Sequence, residues 1–426
     1  MKQPGDRIHQ ALLRAYQQRH LNSLSWLATE SALADAARLN AEQPATPLAG
    51  LPLVVKDNID VAGMPTSLGT DLLAEEIVPT NAPLVTRLQA AGAVIIGKAN
   101  MHELASGTSG LNAARGDVLH PFLSGRVVGG SSSGSAAAVA AGIVPVSIGT
   151  DTGASVRLPA SFCGLIGFRP SAGRYPQTGI APISVSRDTA GILAQRISDV
   201  IAVDAVISDQ HHVPCVTLDG LRLGVPRPHF WHGCDSAVLA AAEPALAQLQ
   251  RRGVTLIDID IPQVAELAVQ AGYPMASFEM LRDLPHYLAQ RRSRYSFKQL
   301  CAAVKSPDVR ALLADAATVS AARYQQALTD WQPLLVARYQ QVFQQHQLDG
   351  LIFPSVPMLP PLREGANHHF RRLIANCEPA TVVGLPCISL PLAQSTDGIP
   401  VGIELQFAHG DDRRLLQVAA ELLSAQ

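Results

Sequence analysis

The sequence predicts an α/β fold with a large, mixed and twisted β-sheet that carries helices on both faces. Short apolar runs typical of buried strands alternate with segments in which apolar residues recur at helical spacing. Residues 83–99 show the pattern in one unit, with a short helix, a glycine turn and a buried strand over 93–97. The chain has 426 residues, of which 47% are hydrophobic and 16% are charged, so it can bury a large core.

The same patterns place the other elements along the chain. We predict two amphipathic helices between about residues 6 and 40, and further helices at 135–141, at 236–252 and from there up to residue 346. We predict strands at 51–60, 143–148, 221–225, 254–259 and 351–357, with closing strands near 384–391 and 398–404. The prediction is a single domain over residues 1–426, with a core at 45–218 and 349–426 and a helical, substrate-side region at about 219–348.

Composition and charge exclude several classes of function. A net charge of −2 offers no basic surface for nucleic acid. No apolar run reaches about 18 residues without glycine, proline or a charge, and the first twenty residues lack the apolar core of a signal peptide, so we predict no membrane contact and a cytoplasmic protein. The six cysteines form no CxxC pair, so we predict reduced thiols, no metal and no cofactor at Cys163, Cys215, Cys234, Cys301, Cys377 and Cys387.

The stretch from Gly129 to Pro159 is the candidate catalytic segment. Almost every residue in it is small, and two loops rich in serine, glycine and backbone N–H groups, at 129–134 and 149–157, flank one helix and one strand. Such a run buries little apolar area for the conformational entropy that its ordering costs, so packing alone explains it poorly. A helix followed by a strand can return the chain to the same end of a sheet, where the two loops would meet.

Several chemistries could use such loops. A phosphate-binding loop is disfavoured because no lysine follows Gly134. Residues 130–134 match the GxSxG pattern with Ser132 as nucleophile, but no clear strand leads into it. The remaining option is a serine activated by a lysine, which must first lose its proton. Lys56, within the apolar run at 51–60, is either that buried base or an ordinary lysine whose ammonium group reaches water.

These loops resemble those of the amidase signature family, which are serine hydrolases of carboxamides. The matching segments are GGSSSGSAAAVAAG at 129–142, GTDTGASVRLPA at 149–160 and KDN at 56–58. The resemblance implies the amidase-signature fold and a catalytic triad with Ser155 as nucleophile, Ser131 as a serine that follows a cis peptide bond, and Lys56 as base. His102 and Glu103, in the polar loop before this segment, are expected to be structural.

The resemblance also assigns roles around the nucleophile. It implies an oxyanion hole made by the backbone N–H groups of Thr152, Gly153, Ala154 and Ser155. The expected supporting residues are Ser132, Asp151 and Arg157, the last two as a buried ion pair that fixes the loop. Two positions depart from the family pattern, because Ala154 and Ser133 stand where many members have glycine. The methyl group of Ala154 could disfavour a positive φ or narrow the space beside the acyl group.

Segments at 167–176 and 186–191 are most similar to the mandelamide and indoleacetamide hydrolase branch of this family. That similarity implies hydrolysis of a small, aryl-bearing primary amide to acid and ammonia. Substrate contacts are expected from 219–348 and from the loops at 100–110 and 175–186, while the helices of 219–348 could also form a lid or a homodimer face. Two alternatives stay open: a non-catalytic or partner-dependent subunit of the amidotransferase A type, and an esterase that uses the same triad.

Overall fold

A single mixed sheet of eleven strands forms the centre of the computed structural model, which describes residues 4–42, 44–212, 214 and 216–424. Numbered along the chain, the strands are β1 Leu24–Leu27, β2 Pro52–Lys56, β3 Val94–Ala99, β4 Val146–Asp151, β5 Ile166–Arg169, β6 Thr189–Ala194, β7 Arg222–Pro226, β8 Thr255–Ile259, β9 Gly350–Pro354, β10 Cys387–Gln394 and β11 Pro400–Phe407. Their order across the sheet is β1-β3-β2-β4-β6-β5-β10-β11-β9-β7-β8. The α/β fold and the large mixed sheet are confirmed.

The α-helices cover both faces of this sheet. They are α1 Pro4–Gln17, α2 Thr29–Glu42, α3 Pro83–Ala90, α4 Ser133–Ala140, α5 Arg157–Phe162, α6 Ile197–Ser208, α7 Ser236–Arg251, α8 Val264–Gln290, α9 Phe297–Ala303, α10 Pro307–Ala316, α11 Ala321–Gln326, α12 Gln332–His346, α13 Phe370–Ile374, α14 Glu378–Val383 and α15 Asp412–Leu423. Side chains alternate between faces along a strand, so β2 contributes to two separate clusters. Leu53 and Val55 belong to the cluster that also contains apolar residues of α3, α6 and α15, whereas Val54 belongs to the one with residues of α1, α2 and α4.

Strand direction changes across the sheet and brings the two serine-rich loops together. β2 pairs in parallel with both β3 and β4, and β4 pairs antiparallel with β6. Because parallel strands share their carboxyl edge, the end of β2 at Lys56 and the end of β4 at Asp151 lie side by side. The helix α4 and the strand β4 join the first loop to the second, as the sequence predicts, although β4 extends through the first three residues of the predicted second loop.

Three strands, β1, β5 and β6, are absent from the sequence-based prediction. Residues 24–27 were included in a run of two helices, but they form β1, which pairs antiparallel with β3 at the edge of the sheet. Only four residues long and partly exposed, this strand shows neither the length nor the alternation by which a strand is recognised. The flanking helices α1 and α2 are present as predicted.

The segment at about 219–348 is joined to the sheet and to the loops above it. β7 pairs in parallel with β9, and β8 pairs in parallel with β7 at the edge of the sheet. Helices α8 to α10 contribute to a smaller apolar cluster with the loop residues Leu68, Leu73 and Leu104. This continuity supports the single domain over residues 1–426, which stays a prediction.

Three further features, which concern membrane spans, metal ligands and cysteines, are stated for the described residues alone. None of their helices combines the length and apolar character that crossing a membrane requires. They also contain no group of three or more His, Cys, Asp or Glu side chains placed to hold a metal ion. Five cysteines are free thiols, and Cys215 lies outside the described residues.

Candidate active site

Lys56, the last residue of β2, is completely buried and is surrounded by hydroxyl groups. Its Nζ lies 2.7 Å from Ser131 Oγ and 2.8 Å from Thr150 Oγ1. Asn58 Nδ2 also donates to Thr150 Oγ1, at 3.1 Å. The salt bridges of the described residues include none to Lys56. Burial lowers the pKa of Lys56 to about 7, although the charges of Asp151 and Asp188 oppose this shift.

The first serine-rich loop approaches this lysine through Ser131. The Gly130–Ser131 peptide bond is cis, as the resemblance to the amidase signature family implies. The turn before it requires glycine at 129, where φ is +84° and a Cβ would lie 2.3 Å from Leu158 Cδ2. Ser131 is fully buried, and Lys56 Nζ is its side-chain partner.

Ser132 links the two serine-rich loops. Its backbone N–H donates to Ser155 O at 3.2 Å, while its Oγ donates to Thr150 O and accepts from Thr150 N. These bonds fix the backbone of Ser155 beside the first loop. The hydrogen bonds of the described residues do not include one between Ser155 Oγ and Ser131 Oγ. Ser155 instead lines an open cavity and is 9% exposed.

The backbone between β4 and α5 lies beside the same cavity and carries N–H groups without a partner among the described residues. None of the N–H groups of residues 152–155 donates to another described residue. All four residues line the cavity. The segment is held from both sides, because Thr152 Oγ1 donates to Asp188 Oδ1 at 2.5 Å and Arg157 Nη2 donates to Gly153 O at 3.3 Å. Such a set of unpaired donors is suited to binding an oxyanion.

A fully buried charge cluster lies behind this segment. Arg157 pairs with Asp151 at 3.0 Å and with Glu404 at 2.6 Å, and Arg169 Nη1 lies 3.5 Å from Asp151 Oδ1. Burial disfavours the ionised form of Asp151, but Arg157 and Arg169 outweigh it and hold the pKa of this carboxyl at about 2. Asp151 also accepts from the backbone N–H of Val156, so the cluster fixes the chain on both sides of Ser155.

Ala154 fits the site without backbone strain. It is not among the residues with positive φ, and it is 1% exposed. Its methyl group belongs to an apolar cluster that includes Leu158, Phe162 and Val356. The methyl group therefore packs against apolar side chains, and it does not strain the loop through a positive φ. At the other departure, the Oγ of Ser133 is buried without a hydrogen-bond partner.

The cavity beside Ser155 has a volume of about 360 Å³. The loops at 100–110 and 175–186 and the helix α8 contribute to its lining, and α10 adds a further wall. That substrate contacts these segments stays a prediction. The helices α13 and α14, beyond residue 348, also contribute and were not anticipated. The lining side chains on these four helices are Tyr273, Ala276, Ser277, Met280, Asp308, Ala311, Leu312, Asp315, Phe370, Arg371, Ile374 and Glu378.

His102 and Glu103 connect the core to α10. The carboxylate of Glu103 accepts from the backbone N–H groups of Lys305 and Ser306, at 3.1 Å and 2.7 Å, just before this helix begins. His102 Nε2 lies 3.0 Å from Asp308 Oδ2. Both residues are fully buried, and neither lines the cavity. Their contacts are those of residues that position the cavity wall.

Comparisons with known proteins agree on one family. The family model described as Amidase matches residues 7–416. An indoleacetamide hydrolase from Agrobacterium vitis is 38% identical over 391 residues, which cover 89% of this chain and 84% of the relative. A mandelamide hydrolase from Pseudomonas putida is also 38% identical, over 394 residues that cover 88% of this chain and 78% of the relative.

Solved structures of amidases have the same fold. A crystal structure described as an amidase superposes with a TM-score of 0.86 at 30% identity, covering 100% of this chain and 96% of the other. A native peptide amidase from Stenotrophomonas maltophilia gives a TM-score of 0.87 at 28% identity, covering 99% and 93%. The similarity therefore extends over the sheet, the loops and the helical region together.

Proposed function

Since this chain belongs to the amidase family and is a hydrolase that acts on amides, we propose that it cleaves a small, aryl-bearing primary carboxamide to a carboxylic acid and ammonia. The proposed nucleophile is Ser155, with Ser131 as proton relay and Lys56 as base. The observation that carries this proposal is the contact of the fully buried Lys56 with Ser131 Oγ. The loop that contains Ser131 is hydrogen-bonded to Ser155 through the backbone N–H of Ser132.

The surroundings of Lys56 suit a neutral amine. A neutral amine has two hydrogens and one lone pair. Thr150 Oγ1 at 2.8 Å and Thr150 O at 3.5 Å can accept both hydrogens, which directs the lone pair towards Ser131 Oγ at 2.7 Å. With the pKa lowered to about 7, an appreciable fraction of Lys56 is neutral at neutral pH.

In the proposed reaction the protons move in sequence. Lys56 Nζ takes the hydroxyl proton of Ser131, Ser131 takes that of Ser155, and Ser155 Oγ attacks the amide carbonyl carbon. The carbonyl oxygen becomes an oxyanion at the unpaired N–H groups of 152–155. The C–N bond then breaks as the proton returns along the relay to the leaving nitrogen, which departs as ammonia. Water, deprotonated by the same relay, releases the acid from the Ser155 ester.

The cavity supports an aryl-bearing acyl group. Ile183, Met280, Leu312, Phe370 and Ile374 provide apolar side chains in its lining. A volume of about 360 Å³ falls at the lower end of the usual range for small-molecule sites, about 300–1,000 Å³. Two relatives that are 38% identical are named indoleacetamide hydrolase and mandelamide hydrolase, which favours this class of substrate. A cytoplasmic location and a homodimer stay predictions.

The test is ammonia release from a panel of primary amides that includes phenylacetamide, mandelamide, indoleacetamide and malonamate. We expect release from the arylacetamides, and its loss in Ser155→Ala. Ser161→Ala is the matched control, because Ser161 is a buried serine of α5 that accepts from Gly402 N and does not line the cavity. Equal loss in both variants would indicate a damaged fold rather than a missing nucleophile.

The same panel separates the alternatives. No release from any amide by the wild-type chain would favour the non-catalytic or partner-dependent subunit. A matched ester and amide of one acid distinguish an esterase, since an esterase would hydrolyse the ester while the amide stays intact. Retention of amide hydrolysis by Ser155→Ala would contradict the proposed mechanism.

A further inference from the structure

Three carboxylates line the cavity beside Ser155, and they differ in their surroundings. Asp308 lies 3.0 Å from His102 Nε2. Asp315 is exposed on α10. Glu378, the first residue of α14, has a side chain that is only 8% exposed. A carboxylate with so little access to water needs other donors to offset the loss of hydration.

The protein itself supplies few donors to Glu378. Its closest cation is Arg187, whose Nη2 lies 3.6 Å from Glu378 Oε1. The hydrogen bonds of that guanidinium go elsewhere, to Gly272 O and to Thr381 Oγ1. Apart from this long contact with Arg187, which favours the charged form of Glu378, the hydrogen bonds of the described residues include none to either carboxylate oxygen of Glu378. Burial raises the pKa of this carboxyl, while Arg187 and Arg371 oppose the rise.

The position of Glu378 is fixed relative to the oxyanion segment. Its neighbour Cys377 accepts through its carbonyl oxygen from Arg157 Nη1, and the same guanidinium donates to Gly153 O. On α8, Gly272 leaves room for the carboxylate, because a Cβ there would lie 3.0 Å from Glu378 Oε1. The carboxylate is therefore a preorganised acceptor in the wall of the cavity that Ser155 also lines.

We propose that Glu378 is a specificity-determining residue that accepts a hydrogen bond from an O–H or N–H group on the acyl part of the substrate. This inference rests on the proposed function, because it concerns the same cavity. It narrows the substrate class to primary amides that carry both a ring and a hydrogen-bond donor, such as a 2-hydroxyl or a ring N–H group. Amides with a plain hydrocarbon acyl group are the poorer substrates of this site.

We expect a preference for substrates with a donor because leaving a buried carboxylate without a hydrogen-bond partner costs free energy. A substrate without a donor leaves the carboxylate unsatisfied and also expels the water that could have bound there. Whether a hydrogen bond to a charged group is made or left unmade changes the binding free energy enough to alter affinity by about tenfold to a hundredfold. Mandelamide and phenylacetamide differ only in the 2-hydroxyl group and therefore report this contact directly.

The decisive measurement is the binding of these two amides by calorimetry to Ser155→Ala protein, which does not require catalysis. We expect mandelamide to bind at least about tenfold more tightly than phenylacetamide. Adding Glu378→Gln, which removes the negative charge and keeps the size, should reduce that ratio to about one to threefold. Adding Asp315→Asn instead, which removes an exposed cavity carboxylate, should leave the ratio unchanged.

Catalysis provides the second readout. In otherwise wild-type protein, Glu378→Gln should lower the ratio of kcat/KM for mandelamide over phenylacetamide, mainly through KM. Glu378→Asp restores the charge with a shorter side chain and should recover part of the ratio. If Glu378→Gln unfolds, the Asp variant and the wild-type binding ratio still test the inference.

The outcomes separate this inference from the proposed function. Binding with the expected preference but without hydrolysis would overturn the proposed function and support Glu378 as the acceptor. Hydrolysis of both amides with equal kcat/KM, or a ratio that Glu378→Gln leaves unchanged, would overturn the role of Glu378 and support the amidase. Failure of both amides to bind would overturn the inference, since the cavity would then take another class of ligand.

Discussion

The surroundings of Lys56 and of Lys98 can be compared directly, because the two lysines lie on adjacent parallel strands. Lys56 ends β2, and Lys98 is the penultimate residue of β3, paired in register with Val55. Both side chains are fully buried. Burial is the largest cause of a lowered pKa at both positions. Burial alone therefore does not explain why Lys56 rather than Lys98 is the proposed base.

The difference lies in the partners. Lys98 Nζ faces the carboxylate of Asp57 at 3.2 Å, with Pro65 O at 2.8 Å and Thr66 Oγ1 at 3.0 Å. Asp57 favours the charged ammonium and opposes the fall in the pKa of Lys98. Lys56 has only hydroxyl and carbonyl groups within hydrogen-bond distance. A carboxylate beside a buried lysine favours the charged ammonium, whereas hydroxyl groups alone do not oppose the loss of its proton in this way.

The largest expected effect comes from Lys56→Met, which removes the amine and keeps a long apolar side chain. If Lys56 is the base, kcat/KM for a hydrolysed arylacetamide should fall by about 10²–10⁴ at pH 8. The folded structure should survive, because no carboxylate pairs with Lys56 in the described residues. Steady-state ammonia release and circular dichroism measure the two properties. A fall of less than tenfold would show that another group acts as base.

The opposite result is expected for Lys98→Met. Removing this cation leaves Asp57 buried without its counter-charge, and breaking a buried pair in this way costs about 3–5 kcal/mol. Chemical denaturation should show that loss in the free energy of unfolding. The double variant with Asp57→Asn should be more stable than the sum of the single effects predicts. Equal stability of Lys98→Met and wild type would mean that the pair contributes nothing to the fold.

The sequence could predict the candidate catalytic segment because the information for it is local. The glycines, the serines and their spacing occupy two short loops, and the strands and helices around them follow from apolar periodicity. The state of Lys56 was not determined in this way. A lysine at a strand end can reach water, and the choice depends on Ser131 and Thr150, which are 75 and 94 residues away along the chain. Only the family resemblance favoured the buried base.

The cavity wall formed by α10, α13 and α14 could be predicted from the sequence even less well than the state of Lys56. Glu378 and Phe370 stand in no motif, and they reach the cavity because β9 to β11 bring the end of the chain back to the sheet. The position of α10 depends on Glu103, which binds the backbone about 200 residues further on. Contacts of this kind arise from long-range packing, and periodicity in the sequence carries no record of them.

A smaller effect should follow from Thr150→Val, which replaces a hydroxyl with a methyl group of similar size. The change removes the hydrogen bonds of Thr150 Oγ1 to Lys56 Nζ and to Asn58 Nδ2. One neutral hydrogen bond contributes about 0.5–1.5 kcal/mol, so kcat/KM should fall by about two- to tenfold as Lys56 loses its orientation. The control is Thr108→Val, because Thr108 lines the cavity but has no contact with Lys56. Equal effects of both variants would attribute the loss to the cavity rather than to the lysine.

The smallest expected effect is a displacement of the pH profile, and it tests the role of charge at Lys56. With the pKa lowered to about 7, kcat/KM should rise through about pH 7 as the amine loses its proton. Asp188, whose own pKa burial raises to about 6, adds a negative charge that stabilises the protonated lysine. Asp188→Asn removes that charge, so the acidic limb should move to lower pH.

The displacement should be visible mainly between pH 6 and pH 7, where Asp188 is ionised and Lys56 titrates. Below that window wild-type Asp188 is itself protonated, and the two profiles should converge. Asp199→Asn is the matched control, since this carboxylate pairs with Arg196 at 2.9 Å and does not influence Lys56. A limb that stays in place in Asp188→Asn would assign the titration to a group other than Lys56, and the contrast with Lys98 would then describe two structural lysines.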